Sequence, residues 1–185
     1  MDVTIGIFVF LVSFPLLILV SILIHMNLGS PVIFRQRRIG YEGKVFTIYK
    51  FRTMKPAKKQ ETDQQRMTAI SRAIRSLRVD ELPQILNVLK GDMSFVGPRP
   101  LLPEYKNFYK KEEFERHNVL PGITGWAQIQ AGNVSSWEDR FACDLWYVKN
   151  KSLKLNCRIL WMTIVNRKQK LGDGSEITPL NKERE

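Results

Sequence analysis

From Ile5 to Leu28 the chain is almost unbroken in apolar side chains. A straight helix of that length, at ~1.5 Å per residue, would cross a hydrocarbon core of ~30 Å. Ser13-Phe14-Pro15 interrupts the run. Proline removes one backbone hydrogen bond and crowds the preceding turn, so the spacing predicts a kink or break there, with Ser13 able to bond a freed carbonyl. Two arrangements fit this segment: a kinked helix that spans the bilayer, or a helix–break–helix that enters and leaves by one face. A long soluble core helix is a third, blander reading. Lys44 to Arg52 alternates apolar and polar residues and predicts a strand. It follows an extended piece at Pro31–Gln36 and a turn at Gly40–Gly43, so a small β-hairpin is expected. Met67, Ile70, Ile74 and Leu77 fall at helical spacing. Arg72, Arg75 and Arg78 form a basic stripe on the same stretch.

Further on, Glu104 to Asn118 reads as a polar, mixed-charge helix with aromatic contacts. Pro121 to Gly132 reads as a glycine-punctuated loop with a short extended piece. Ser135 or Ser136, followed by Glu138 and Asp139, predicts a capped helix start. Asp144 falls in mid-helix among apolar neighbours, either as a functional group or as an ion-pair partner of a nearby arginine. Leu155 to Val165, with the basic run Arg167–Lys170 behind it, suits a helix at a membrane interface and suits a core helix nearly as well. From Gly172 the chain is polar and expected to be loose.

Charge narrows the choice of partner. The 185 residues carry a formal net charge of +11 and a sequence pI of about 9.8. An anionic partner follows: acidic lipid, a phosphorylated substrate or nucleic acid. No nucleic-acid recognition motif is present, so no nucleic acid is expected. Between residues 31 and 60 nine basic residues face Glu42 alone, which places that flank on the cytoplasmic side, against an anionic leaflet. Cys143 and Cys157 are far apart with no CxxC motif, which argues against a zinc site or disulfide framework and for a reducing compartment. The Asn133 and Asn150 sequons carry no meaning there.

Candidate chemistry centres on Asp80-Glu-Leu-Pro-Gln84, with Gly97-Pro-Arg-Pro100 downstream. Asp80 is expected to cap the helix entered through Pro83, and Gly91 to end it. Arg99, on a stiff proline-flanked turn, offers a planar donor fork for phosphate oxygens. Lys50 and Arg52 share a strand face, which without further support is a solvated basic surface. Capping and turn formation are the structural alternatives to a site at Asp80, Glu81 and Arg99.

The interrupted apolar segment, Tyr49-Lys-Phe-Arg-Thr-Met54, Asp80-Glu-Leu-Pro-Gln84, Asn87-Val-Leu-Lys-Gly-Asp-Met-Ser94, Gly97-Pro-Arg-Pro100 and Pro121-Gly-Ile-Thr-Gly125 occur in this order. Together they resemble the bacterial sugar transferase family, the small monotopic phosphoglycosyl transferases, over residues 5 to 170. The resemblance implies transfer of a sugar-1-phosphate from a UDP-sugar to a polyprenyl phosphate, with release of UMP, by a two-step covalent route using Mg²⁺. Asp80 would be the nucleophile and a metal ligand, and Glu81 its partner in activating the polyprenyl phosphate. Arg99 would bind phosphate, with Lys50, Arg75 and Asp144 placed around the substrate. Ser13 and Pro15 would form the turn of a re-entrant membrane helix. Leu120 departs from the family, where an arginine often precedes Pro-Gly. So does the short lead-in before Ile5.

The fold implied is α+β and mainly helical. It comprises a re-entrant helix–break–helix over 1–29, a cytoplasmic catalytic domain over 30–171 with a small hairpin and interfacial amphipathic helices, and a polar tail over 172–185. The implied place is the bacterial cytoplasmic membrane, at the first membrane step of glycoprotein, capsule or O-antigen synthesis. A membrane-anchored basic binding module without catalysis is the competing reading; it explains the charge but not the carboxylate pair.

Overall fold

The computed structural model describes residues 2–56, 61, 62, 65–130, 134, 136–165 and 179–184. Lys58, Lys59, the Asn133 sequon, a cap at Ser135, Arg167–Lys170 and the tail up to residue 178 lie outside these residues. The described chain is mainly helical, with two small two-stranded sheets. It divides into two compact units: Met1–Gln36 with Thr47–Gly91, and Arg37–Phe46 with Asp92–Glu185.

In the first unit, α1 (Asp2–Leu28) runs through Pro15 as one helix. The break expected at Ser13–Pro15 therefore does not end it. One missing N–H leaves the rest of the ladder intact, and the Ser13 hydroxyl donates to the Phe10 carbonyl at 3.3 Å. The helix is the most apolar element and yet among the least buried: Phe8, Leu11 and Val12 are each about two-thirds exposed. A soluble core helix would bury such residues, so the core alternative fails. Only one narrow side of α1 is covered. Val20 and Ile24 pack with Phe51 and Ile74. Near the other end Gly6 lies against Val88 and Leu89, where even a Cβ would stand 3.1 Å from Leu89 Cδ2. The guanidinium of Arg52 donates to the Leu28, Gly29 and Ser30 carbonyls where α1 ends. The Leu28 carbonyl is one of those a helix leaves without a partner at its end, and the other two follow it.

β1 (Ile33–Ile39) pairs with β2 (Val45–Phe51) across the tight turn Tyr41–Gly43, as the alternation predicts. α2 (Ala69–Ser76) starts at Thr68, whose hydroxyl accepts from the Ser71 N–H at 3.1 Å. Next comes a 3₁₀ helix, Val79–Gln84, and then the short α3 (Ile85–Leu89), closed by Gly91 at φ 79°. Fully buried Asn87 joins α3 to the strand: its Oδ1 accepts from the Tyr49 N–H at 3.2 Å, and its Nδ2 donates to the Thr47 carbonyl at 2.7 Å.

In the second unit β3 (Ser94–Val96) and β4 (Gly122–Thr124) form a parallel pair that the sequence pattern does not announce. Gly97 and Gly122 allow the approach, because a Cβ on either would collide with the other strand's backbone. The stretch expected as one helix from Glu104 to Asn118 is instead two 3₁₀ segments, Pro103–Phe108 and Glu112–Asn118. After α4 (Trp126–Ile129), α5 (Trp137–Asn150) begins at a capping box of Ser136 and Asp139. Such a cap contributes about 1 kcal/mol.

α6 (Leu153–Val165) buries Leu155 and Ile159 while Trp161, Ile164 and Val165 remain exposed. Within the tail expected to be loose, residues 179–184 are packed. α7 (Leu180–Glu183) buries Leu180 completely with Leu101, Trp137 and Phe141, and Arg184 bridges Glu113 and Glu138.

Candidate active site

Four of the candidate residues come together in the first unit. Lys50 is on β2, Arg75 in the last turn of α2, and Asp80 and Glu81 in the first turn of the 3₁₀ helix. Asp80 is not the helix cap that the sequence predicts. The residue preceding the helix is Arg78, in the left-handed region at φ 55° and ψ 22°. A non-glycine residue in that region is strained on the order of 1 kcal/mol. Here it reverses the chain between α2 and the carboxylates. The Arg78 N–H donates to the Arg75 carbonyl at 2.9 Å and closes the reversal.

Lys50 Nζ donates to Glu81 Oε1 at 2.8 Å, and Arg78 Nη1 lies 4.0 Å from Glu81 Oε2. Lys50 is therefore mostly enclosed, with 18% of its side chain exposed, and Arg52 serves the end of α1. The solvated basic face is overturned for both. Asp80 is half-buried, and its carboxyl is pushed up to about 6. Burial is the largest cause and the charge of Glu81 the next, while Lys50 and Arg75 pull the other way. The basic surround thus limits the shift without reversing it.

No cluster of three or more histidine, cysteine or carboxylate groups is present among the described residues. A hard divalent ion here would take one or two carboxylate oxygens and complete its shell with water and substrate phosphate. That is how Mg²⁺ is commonly held. Asp80 suits this role, since a cation beside it would relieve the cost of keeping both neighbouring carboxylates ionised.

The other two candidates are in the second unit. Arg99 is half-buried in the turn after β3. Asp144, on α5, is only 2% exposed. Its Oδ2 accepts from Arg116 Nε at 3.0 Å and Nη2 at 2.7 Å, which is the ion pair that its mid-helix position allows for. Nothing in the sequence marks Arg116 itself. It stands in a run of charged residues that looks solvated throughout. Asp144, a mid-helix carboxylate in need of a partner, is the available signal.

Similarity to known proteins agrees with the ordered motifs. The family described as Bacterial sugar transferase matches residues 1–170. The Bacillus subtilis (strain 168) protein named Uncharacterized sugar transferase EpsL is 45% identical over 181 residues, covering 96% of this chain and 89% of that protein. The UDP-N-acetylgalactosamine-undecaprenyl-phosphate N-acetylgalactosaminephosphotransferase of Aeromonas hydrophila is 40% identical, over 81% of this chain and 38% of its own length. The UDP-glucose:undecaprenyl-phosphate glucose-1-phosphate transferase of Escherichia coli (strain K12) is 34% identical, over 88% and 38%. This chain thus spans little more than a third of the latter two relatives. With the family's pattern matched across nearly its whole length, the chain belongs to the bacterial sugar transferases.

Proposed function

We propose that this enzyme transfers a sugar-1-phosphate from a UDP-sugar to a polyprenyl phosphate and releases UMP, by way of a covalent phosphosugar on Asp80. The observation that carries the reading is the state of Asp80. It is a half-buried carboxyl raised to about 6, beside a second carboxylate that Lys50 holds in place. Such a group is still largely ionised at neutral pH, and its raised basicity makes it a better nucleophile than an ordinary aspartate.

An Asp80 oxygen attacks the β-phosphorus of the donor. The bond from that phosphorus to the bridging oxygen breaks, and UMP departs with the electron pair. A polyprenyl phosphate oxygen then attacks the same phosphorus, its proton drawn toward Glu81, and Asp80 is released. Lys50 and Arg75 hold positive charge near the carboxylates, and Arg99 binds a phosphate of the substrate. Asp80 would hold Mg²⁺, which when bound would supply positive charge to neutralise the transferring phosphoryl group.

The enzyme is membrane-associated through α1, and we place its catalytic residues at the cytoplasmic face. α1 is long and apolar enough to cross a bilayer by length and composition. However, residues near both its ends, Gly6 and Ile24, pack on the unit that carries Asp80. That supports an α1 that, unbroken at Pro15, keeps both ends at one face of the membrane, over a helix with its start across it.

The test is intact-protein mass after exposure to UDP-sugars without acceptor. A phosphosugar adduct is expected on the wild-type chain and none on Asp80→Asn. Product formation with no adduct at any donor concentration would overturn the covalent route. The same panel, assayed for UMP release, identifies the sugar.

A further inference from the structure

Every backbone carbonyl from Pro98 to Leu101 is held by a donor from elsewhere in the second unit. The Gly122 N–H donates to the Pro98 carbonyl at 3.0 Å, and the Ile39 N–H to the Leu101 carbonyl at 2.9 Å. Arg38 Nη1 donates to the Pro100 carbonyl at 3.2 Å. The Arg99 carbonyl accepts from Arg116 Nη2 at 2.8 Å.

This last donor differs from the others. Arg116 is 2% exposed and gives two further hydrogen bonds to Asp144, itself buried to the same degree. α5, which carries Asp144, is anchored in turn by Tyr147, whose hydroxyl donates to the Val96 carbonyl at 3.1 Å. The two peptide planes that flank the Arg99 Cα are those bearing the Pro98 and Arg99 carbonyls. With both pinned, and proline limiting φ on either side, the Cα–Cβ direction of Arg99 is fixed.

We propose that Arg116 and Asp144 are a positioning pair: they aim Arg99 at the substrate phosphate by gripping its carbonyl, and neither needs to touch substrate. The proposal rests on Arg99 being the phosphate-binding arginine. A buried ion pair contributes little to stability over a well-packed apolar pair, so packing alone does not account for the two charges. Aiming a charge-assisted hydrogen bond at one carbonyl does. The guanidinium fork reaches Asp144 and that carbonyl together, which a single ammonium cannot reproduce.

The test is a coupling experiment on the full chain in detergent or lipid, read as kcat/KM for UMP release. Arg116→Lys keeps a charge beside Asp144 but loses the fork. Arg116→Met with Asp144→Leu removes both charges and leaves no buried ion unpaired, so one of the two keeps the fold available. Each is expected to lower kcat/KM by ~10- to 100-fold, the scale of a displaced substrate-positioning group. In an Arg99→Ala background the same changes are expected to cost no more than about twofold, because the group they aim is gone. Losses that multiply in full with that of Arg99→Ala overturn the positioning role. Undiminished turnover in Arg99→Ala alone would instead overturn the phosphate-binding assignment of Arg99, a separate result.

Discussion

An Asp80 carboxyl raised to about 6 has two consequences of opposite kind. Turnover requires the ionised form, so kcat/KM for UMP release should be flat above neutrality and fall about tenfold per pH unit once Asp80 protonates, below ~6, with a cation at Asp80 moving that limb to lower pH. Stability runs the other way. The folded-state value lies above the ordinary 3.8, so between the two the folded chain binds more protons than the unfolded chain. Stability from this group is therefore greatest below about 4 and declines as pH rises through 6. Asp80→Asn should accordingly melt higher than wild type at pH 7.5 while failing to turn over, and the gap should shrink on acidification. Loss of activity together with a lower melting temperature would count against this account. Asp80, Glu81 and Arg99 are legible in the sequence because their neighbours form ordered motifs. Arg116 and the left-handed Arg78 are not, since a buried arginine and a strained one look like any other in a basic chain.

Elements are legible where a period is unambiguous. The alternation from Lys44 to Arg52 gives β2, and the serine with its acidic first turn gives α5. The 3₁₀ segments defeat the pattern because residues three apart align in a 3₁₀ helix much as they do in an α-helix. The aromatic spacing from Tyr105 onward therefore fits both. The β3–β4 pair defeats it for another reason: three-residue strands show no alternation, and register with a distant partner is fixed by close backbone approach at Gly97 and Gly122. At α1 the legible fact is hydropathy and the illegible one is contact. Gly6→Leu should leave membrane partitioning intact, because it adds apolar surface. It should destabilise the fold by roughly 1–3 kcal/mol, because Leu89 already occupies the space. Thermal melts in detergent, alongside flotation with liposomes, separate the two effects. An unchanged melt would mean that the α1–α3 contact is not held in solution.

For the whole molecule, an excess of positive charge and one long apolar segment are properties of composition, and the sequence alone displays both. The interleaving of the two compact units along the chain is hidden, because two of the three points where the chain passes between them fall within the β1–β2 hairpin, where no linker composition marks them. Membrane orientation belongs at this scale as well. With Cys143 and Cys157 replaced, a single cysteine at position 2 should resist an impermeant thiol reagent in right-side-out vesicles and react in inverted ones. Reaction from the outside would establish a spanning helix instead.

The last described residues work as a plug. Leu180 fills a hollow between Trp137 and Phe141, and Arg184 stands between two carboxylates, one of them the nearly enclosed Glu113. A protease cut just ahead of Pro179 would leave a leucine-sized void, costing about 2–5 kcal/mol, and would strand Glu113 without its guanidinium. Clipped protein should therefore survive only at lower temperature, and a solubility screen of nested C-terminal deletions should show its cliff at that leucine.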